Sequence, residues 1–324
     1  MILNQKPKVN LFIIGQPKTG TTSLYYYLKN HPKIFTPKQK QLYHFAFDFN
    51  EFRKKNKLLN RSYYKEYYNY SFESYISKFN FDEGHEIYTD ITPDYMYSED
   101  AAENIYKYNP NAKVIAIIRE PLSFLKSFHL QLVNSGKEYE KNFLKAMSLQ
   151  KNRKHKRVKQ DLYTPDIFFN YSKLIDYKYF LNKYHFLFKN NFKIIIYDDF
   201  KENNIKTLNN IMEFLGIEKL KIDKIVRENQ SFRKSLNLHT IKKLYFMRII
   251  SSRIPLQFKK YLKGILNSSI NEKFSKNNAD SLKNDTIFKK QFKDKIVELK
   301  KYIDKNDLLL FDNEVDLLKK WKYD

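Results

Sequence analysis

The chain has 324 residues and no cysteine. That absence excludes disulfide staples and thiolate metal sites. Its seven histidines are scattered without HExxH-type pairing, so no metal is implied. The opening stretch MILNQKPKVN has no long apolar run. Neither a signal peptide nor a membrane anchor is expected, and the expected location is cytoplasmic. There is no internal repeat, collagen period or sustained heptad array. Acidic residues are scarce: 36 Asp and Glu face 60 Lys and Arg, a net charge of +24. No zinc finger or RRM-like module accompanies that charge, so nucleic acid is not the expected partner. Two explanations stay open. One is a compositional bias toward Lys, Asn, Ile and Tyr. The other is a polyanionic partner, such as a nucleotide, an acidic glycan or an anionic membrane surface.

What is present is enough to build a core, with 42% hydrophobic residues. The chain is organised around residues 11–28. Leu11 to Ile14 form a short apolar run of the kind that fills a buried parallel strand. Gly15 to Gly20 make a tight turn, and from Thr21 the chain reads as a helix with Leu24 and Leu28 on one face. The first N–H groups of such a helix lack internal partners, and its dipole favours negative charge. Lys18 adds a full positive charge, while Thr19, Thr21, Thr22 and Ser23 add hydroxyls. The stretch is suited to holding a phosphate.

A Walker A loop reads G-x-x-x-x-G-K-[ST]. Here Gly15 and Gly20 keep the spacing, but Thr21 replaces the lysine, which has moved into the loop as Lys18. The arrangement PKTGTTSL resembles the 5′-phosphosulfate loop of sulfotransferases that use 3′-phosphoadenosine 5′-phosphosulfate (PAPS). Further along, KVIAII (113–118) ends in REPLSFLKSF. Arg119 and Ser127 stand where the resemblance implies contacts to the 3′-phosphate. A guanidinium can make paired, charge-assisted bonds to such a group. In NQSFRKSLN, Arg233 matches a basic loop that closes over the nucleotide in that family.

The same resemblance covers the acceptor side less completely. Its PKxKE segment is matched by Pro37, Lys38 and Lys40, but Gln41 stands at the glutamate expected to act as general base. A glutamine side chain is no base at neutral pH. His44, three residues on, and Asp90 at the end of the strand in EIYTDITPDYMYS are the candidate replacements. Each has a plain structural alternative, as a loop residue or a helix cap.

The expected fold is α/β: a P-loop-like three-layer arrangement, with a central parallel sheet flanked by helices and a helical C-terminal extension. It is read as one domain over 1–324. Residues 51–80 form a helical insertion or lid, and 236–324 a mainly helical C-terminal part. A further strand is expected at KIIIY (193–197), and a helix is expected to end at Gly216. The resemblance implies sulfonate transfer from PAPS, releasing 3′-phosphoadenosine 5′-phosphate (PAP), to a hydroxyl on a carbohydrate or glycolipid. The basic stretch 236–274 adds a peripheral anionic membrane as a partner to test. Two rivals remain at this point. One is a catalytically degenerate PAP- or glycan-binding homologue, which Gln41 favours. The other is a P-loop nucleotide kinase, which the missing Walker lysine disfavours.

Overall fold

The computed structural model describes residues 8–55, 71–81, 84–154, 164–219, 278–310 and 316–324. Arg233, the basic stretch 236–274 and residues 56–70 of the expected insertion lie outside the described residues.

Five parallel strands form the sheet: β1 (Leu11–Ile14), β2 (Ile34–Phe35), β3 (Ile87–Ile91), β4 (Lys113–Ile118) and β5 (Phe192–Ile196), in the order β2-β3-β1-β4-β5. The apolar runs become strands buried on both faces. Phe12 and Ile14 pack into one layer, with Val114, Ala116, Ile118, Ile194 and Ile196. Leu11 and Ile13 pack into the opposite layer, with Ile115, Ile117 and Ile195. This period-two alternation, apolar on both sides, is what a sheet covered by helices requires. Each large aliphatic side chain so enclosed contributes about 1.5–3 kcal/mol.

Helix α1 (Thr21–Lys29) covers one face through Leu24 and Leu28. Helix α2 (Phe47–Lys55) and the short α3 (Phe72–Ile76) lie on the other side, where Phe45, Phe49 and Tyr75 join the larger core. Then come α4 (Ala101–Tyr108), α5 (Pro121–Asn134), α6 (Phe143–Lys154), α7 (Tyr171–Leu174), α8 (Tyr177–Phe188), α9 (Tyr197–Glu202) and α10 (Asn204–Leu215). Gly216 ends α10 in the left-handed conformation at φ +75°, as expected of a C-terminal glycine.

The C-terminal region is helical. The long α11 (Asn278–Asn306) packs against α5 and α8. The chain then returns to the sheet edge, where Leu310 N donates to Ile194 O at 2.9 Å. It closes with α12 (Leu317–Trp321). Among the described residues, no helix is long and apolar enough to cross a membrane.

The connection after β1 leads toward β2 on one side, whereas β4 lies on β1's other side. The strand order therefore reverses beside β1. In an open α/β sheet this is where a crevice opens beyond the carboxyl ends of the strands.

Candidate active site

The loop after β1 leaves the carboxyl end of that strand. Gly15 has φ +59°, and a Cβ added there would lie 2.4 Å from Met96 Sδ, so both conformation and space call for glycine. Its N–H donates to Pro93 O at 2.7 Å, tying the loop to the turn after β3. Gln16 ties it to the β4 side. Its N–H donates to Ile117 O at 2.6 Å, and its Oε1 accepts from Arg119 N at 2.9 Å. Gln16 Nε2 also donates to the Tyr97 hydroxyl at 2.9 Å. One buried amide side chain thus joins three segments. Thr19 is buried too; its hydroxyl donates to Gln16 O at 2.6 Å and closes the turn.

Lys18 is exposed at the tip with φ +71°, a conformation costly for a residue with a Cβ. The protein around its ammonium, and then Arg119, hold its pKa below the usual lysine value. Arg119 leaves the end of β4 and returns to the loop, where its Nη1 donates to Lys18 O at 3.3 Å. Its guanidinium lies 4.9 Å from the centre of the Tyr197 ring, and its carbonyl accepts from the Tyr177 hydroxyl at 2.9 Å. The two cations therefore share one site and repel each other, an arrangement that an anion between them would relieve.

Gly20 is the N-cap of α1 at φ +75° and supplies no side-chain cap. The amides of Thr21, Thr22 and Ser23 begin the helix there, and these three side chains are half-exposed. Lys40 reaches the same helix end, donating to Thr22 Oγ1 at 3.0 Å. Burial lowers the Lys40 pKa. Ser127 lies on α5, half-exposed, beyond the Arg119 turn.

Glu120 accepts from Leu122 N and Ser123 N and so caps α5. Tyr323 donates to Glu120 Oε1 at 2.7 Å. Asp198 accepts from Trp321 Nε1 at 3.0 Å, and Asp199 pairs with Lys320. The acidic pair after β5 is thus occupied in holding the C-terminal segment.

The other side of the loop faces residues 39–48. Gln41 and Tyr43 both have positive φ, +58° and +57°. Two buried groups hold this strained stretch. Thr92 Oγ1 donates to Asp90 Oδ1 at 2.6 Å and accepts from Leu42 N at 3.0 Å. The Tyr95 hydroxyl donates to Asp90 Oδ2 at 3.0 Å and accepts from Phe45 N at 3.3 Å. Asp90 is 0% exposed, and burial raises its pKa to about 6 against the opposing hydrogen bonds of Thr92 and Tyr95.

His44 is 7% exposed, with its ring stacked on Tyr75 at 4.6 Å and set edge-on against Phe45 at 4.9 Å. Both side chains read as base candidates are therefore enclosed. Asp94 is half-buried in the turn Pro93–Tyr97 and accepts a hydrogen bond from the Tyr43 hydroxyl.

Lys18, Thr19, Gly20, Thr21, Thr22, Ser23 and Arg119 thus gather at one loop and helix end. Asp90 and His44 lie in the core beneath the facing segment. Sequence reasoning passed over Gln16 and Asp94 as site residues. A glutamine directly after the strand glycine, and an acid next to the proline of TPDY, were the available signals. Neither residue type announces its partners, which lie 81 and 103 residues from Gln16 and 51 from Asp94.

Residues 10–221 match the profile of the sulfotransferase family. A membrane-associated sulfotransferase, kil1, of Dictyostelium discoideum is 30% identical over 127 residues, 38% of this chain and 23% of that protein. Human heparan sulfate glucosamine 3-O-sulfotransferase 5 is 29% identical over 170 residues, 50% of this chain and 43% of that protein. The matches thus span less than half of either relative. The crystal structure of a sulfotransferase from Alicyclobacillus acidocaldarius superposes with a TM-score of 0.57 at 20% identity. That superposition covers 76% of this chain and 94% of the other, which supports the fold. With about two thirds of its length on the family profile, this chain belongs to the sulfotransferase family.

Proposed function

We propose that the chain transfers the sulfonate of PAPS to a hydroxyl on a carbohydrate or a glycolipid headgroup. The observation that carries this reading is the convergence of Lys18 and Arg119 on one glycine-bounded loop at the reversal of strand order. PAPS has two separate anionic ends, and the site offers two cationic centres backed by helix amides. In this reading the amides of residues 20–23 and Lys18 hold the 5′-phosphosulfate, while Arg119 and Ser127 hold the 3′-phosphate. Arg233 is the expected closing contact.

Charge builds on the bridging oxygen of the leaving phosphate as the sulfur–oxygen bond lengthens. Lys18 is positioned at the loop tip to meet it, and preorganised donors of this kind lower a barrier without moving. Its lowered pKa leaves the proton more acidic, which suits donation to that oxygen. The carbohydrate acceptor is supported by the named substrate of the human relative, and by a net charge of +24 that would attract acidic glycans.

Calorimetry with PAP and ATP tests the donor. PAP is expected to bind with low-micromolar affinity or better, about −8 kcal/mol, and ATP far more weakly. Equal affinity for the two would overturn the assignment. Gln41 favours a second reading, a homologue that binds PAP without turning over. Release of PAP from PAPS in the presence of any glycan acceptor excludes it.

A further inference from the structure

We propose that Asp94 is the general base that takes the acceptor's proton. The inference rests on the sulfonate-transfer reading. A base is needed because the acceptor's O–H must lose its proton as its oxygen binds sulfur, and the Gln41 amide offers no basic atom.

Asp94 joins the two segments that flank the loop after β1. Its neighbour Pro93 is clamped by Gly15 N at 2.7 Å, so the backbone bearing Asp94 is fixed to the first residue of the phosphate loop. Its carboxylate turns to the facing segment, where the Tyr43 hydroxyl binds Oδ2. One side chain thus touches the acceptor segment while its backbone is locked to the donor loop. Asp94 as a whole residue is partly exposed, whereas Asp90 is 0% and His44 7% exposed; its carboxylate lies among Tyr43, Arg53 and Lys137.

The titratable groups around Asp94 are Tyr97 of its own turn and groups from three other elements. Tyr43 faces it from the acceptor segment, Arg53 from α2 and Lys137 from the turn after α5. Arg53 is held in turn 4.3 Å from the Tyr43 ring centre. Burial raises the Asp94 pKa, and Tyr43, Lys137 and Arg53 oppose that rise. The result is a carboxylate more basic than an ordinary aspartate.

In the step, the acceptor proton passes to an Asp94 carboxylate oxygen. The acceptor oxygen forms its bond to sulfur while sulfur's bond to the 5′-phosphate oxygen breaks. That oxygen keeps the electron pair and leaves as part of PAP, facing Lys18.

The test compares wild type with Asp94→Asn and Asp94→Glu, using labelled PAPS with heparan sulfate as acceptor. PAP release to water, without acceptor, is followed in parallel. Asp94→Asn is expected to lose about 100-fold or more in kcat while keeping its PAP affinity. The wild-type rate is expected to fall on the acid side of neutrality, and Asp94→Asn to lose that limb. Asp94→Glu is expected to retain part of the rate with the limb displaced. A merely structural Asp94 would leave the pH profile unmoved.

Full turnover in Asp94→Asn, or an unchanged acid limb, overturns the proposal. If Asp94→Asn does not fold, an Asp94→Glu profile identical to wild type overturns it. A wild type that binds PAP but releases none, to heparan sulfate or to water, overturns it and leaves the nucleotide site standing. Failure to bind PAP at all overturns the sulfonate-transfer reading itself.

Discussion

The two flanks of β1 reach the same loop by different means. On the β4 side, the loop is set by a backbone turn, a helix end, Gln16 bridging to Arg119 N, and two cations. On the β3 side, a strained segment with Gln41 and Tyr43 in the left-handed region is held by a carboxylate that never meets solvent. The first flank stores positive charge for a ligand to neutralise. The second stores backbone strain, offset by the bonds running from Asp90 through Thr92 and Tyr95 to Leu42 and Phe45. A glycine-bounded turn can be written in a short motif because backbone bonds do much of the holding. A segment shaped by buried contacts has to be assembled from distant parts of the chain.

The comparison breaks most visibly at Lys18. Lys18→Ala is expected to cut turnover about 100-fold or more while changing PAP affinity much less. Arg119→Ala is expected to weaken PAP binding by about 1.5–3 kcal/mol, with its main effect on affinity. Stopped assays paired with calorimetry separate the two; matching profiles would merge the roles assigned here.

Gly15→Ala strikes the hinge between the flanks. It places a side chain at φ +59° and against Met96 Sδ. An expected loss of about 2–3 kcal/mol in urea unfolding would bear out the close packing, and an unchanged midpoint would refute it.

Asp90 sharpens the contrast through pH. Its pKa is raised from 3.8 to about 6 by burial. Between those values the folded protein holds a proton that the unfolded chain has released. Stability therefore declines as pH rises through that window and levels off above it. The swing is on the order of 2–3 kcal/mol. Asp90→Asn is expected to remove this part of the slope in urea titrations across the window. Asp100, also raised to about 6, leaves a residue of the same sign.

The smallest effect is expected at Lys126, which pairs with Asp285 of α11 at 2.5 Å with both side chains partly exposed. Lys126→Ala should cost less than about 1 kcal/mol in thermal unfolding. A larger loss would make α11 a main support of the site helix.

The parallel strands at 11–14 and 113–118 were legible because runs such as LFII and KVIAII suit a sheet covered on both faces. The turn between β1 and α1 was legible because Gly15 and Gly20 bound it within one stretch. The strand at 193–197 is shifted by one residue, to Phe192–Ile196, with Tyr197 opening a helix instead. The two-residue strand Ile34–Phe35 was hidden because it is too short to alternate.

His44 shows the limit for the site. Nothing in HFAFDF reveals that Tyr75, thirty-one residues later, stacks on its ring. Asp90 reads equally well as a strand-end ligand group or a buried hub; the pairing of Thr92 with Leu42 decides its surroundings, and that pairing spans fifty residues.

Glu120, next to Arg119, accepts a hydrogen bond from the Tyr323 hydroxyl, 203 positions later in the chain. A protein leaving the ribosome N-terminus first has β1, its loop and β4 long before it has that tyrosine. Closing so distant a contact adds little free energy, since loop entropy grows only with the logarithm of length, but contacts of this separation slow folding. The loop after β1 is therefore built early in synthesis, and the turn that carries Arg119 receives this brace only after 203 further residues have followed Glu120.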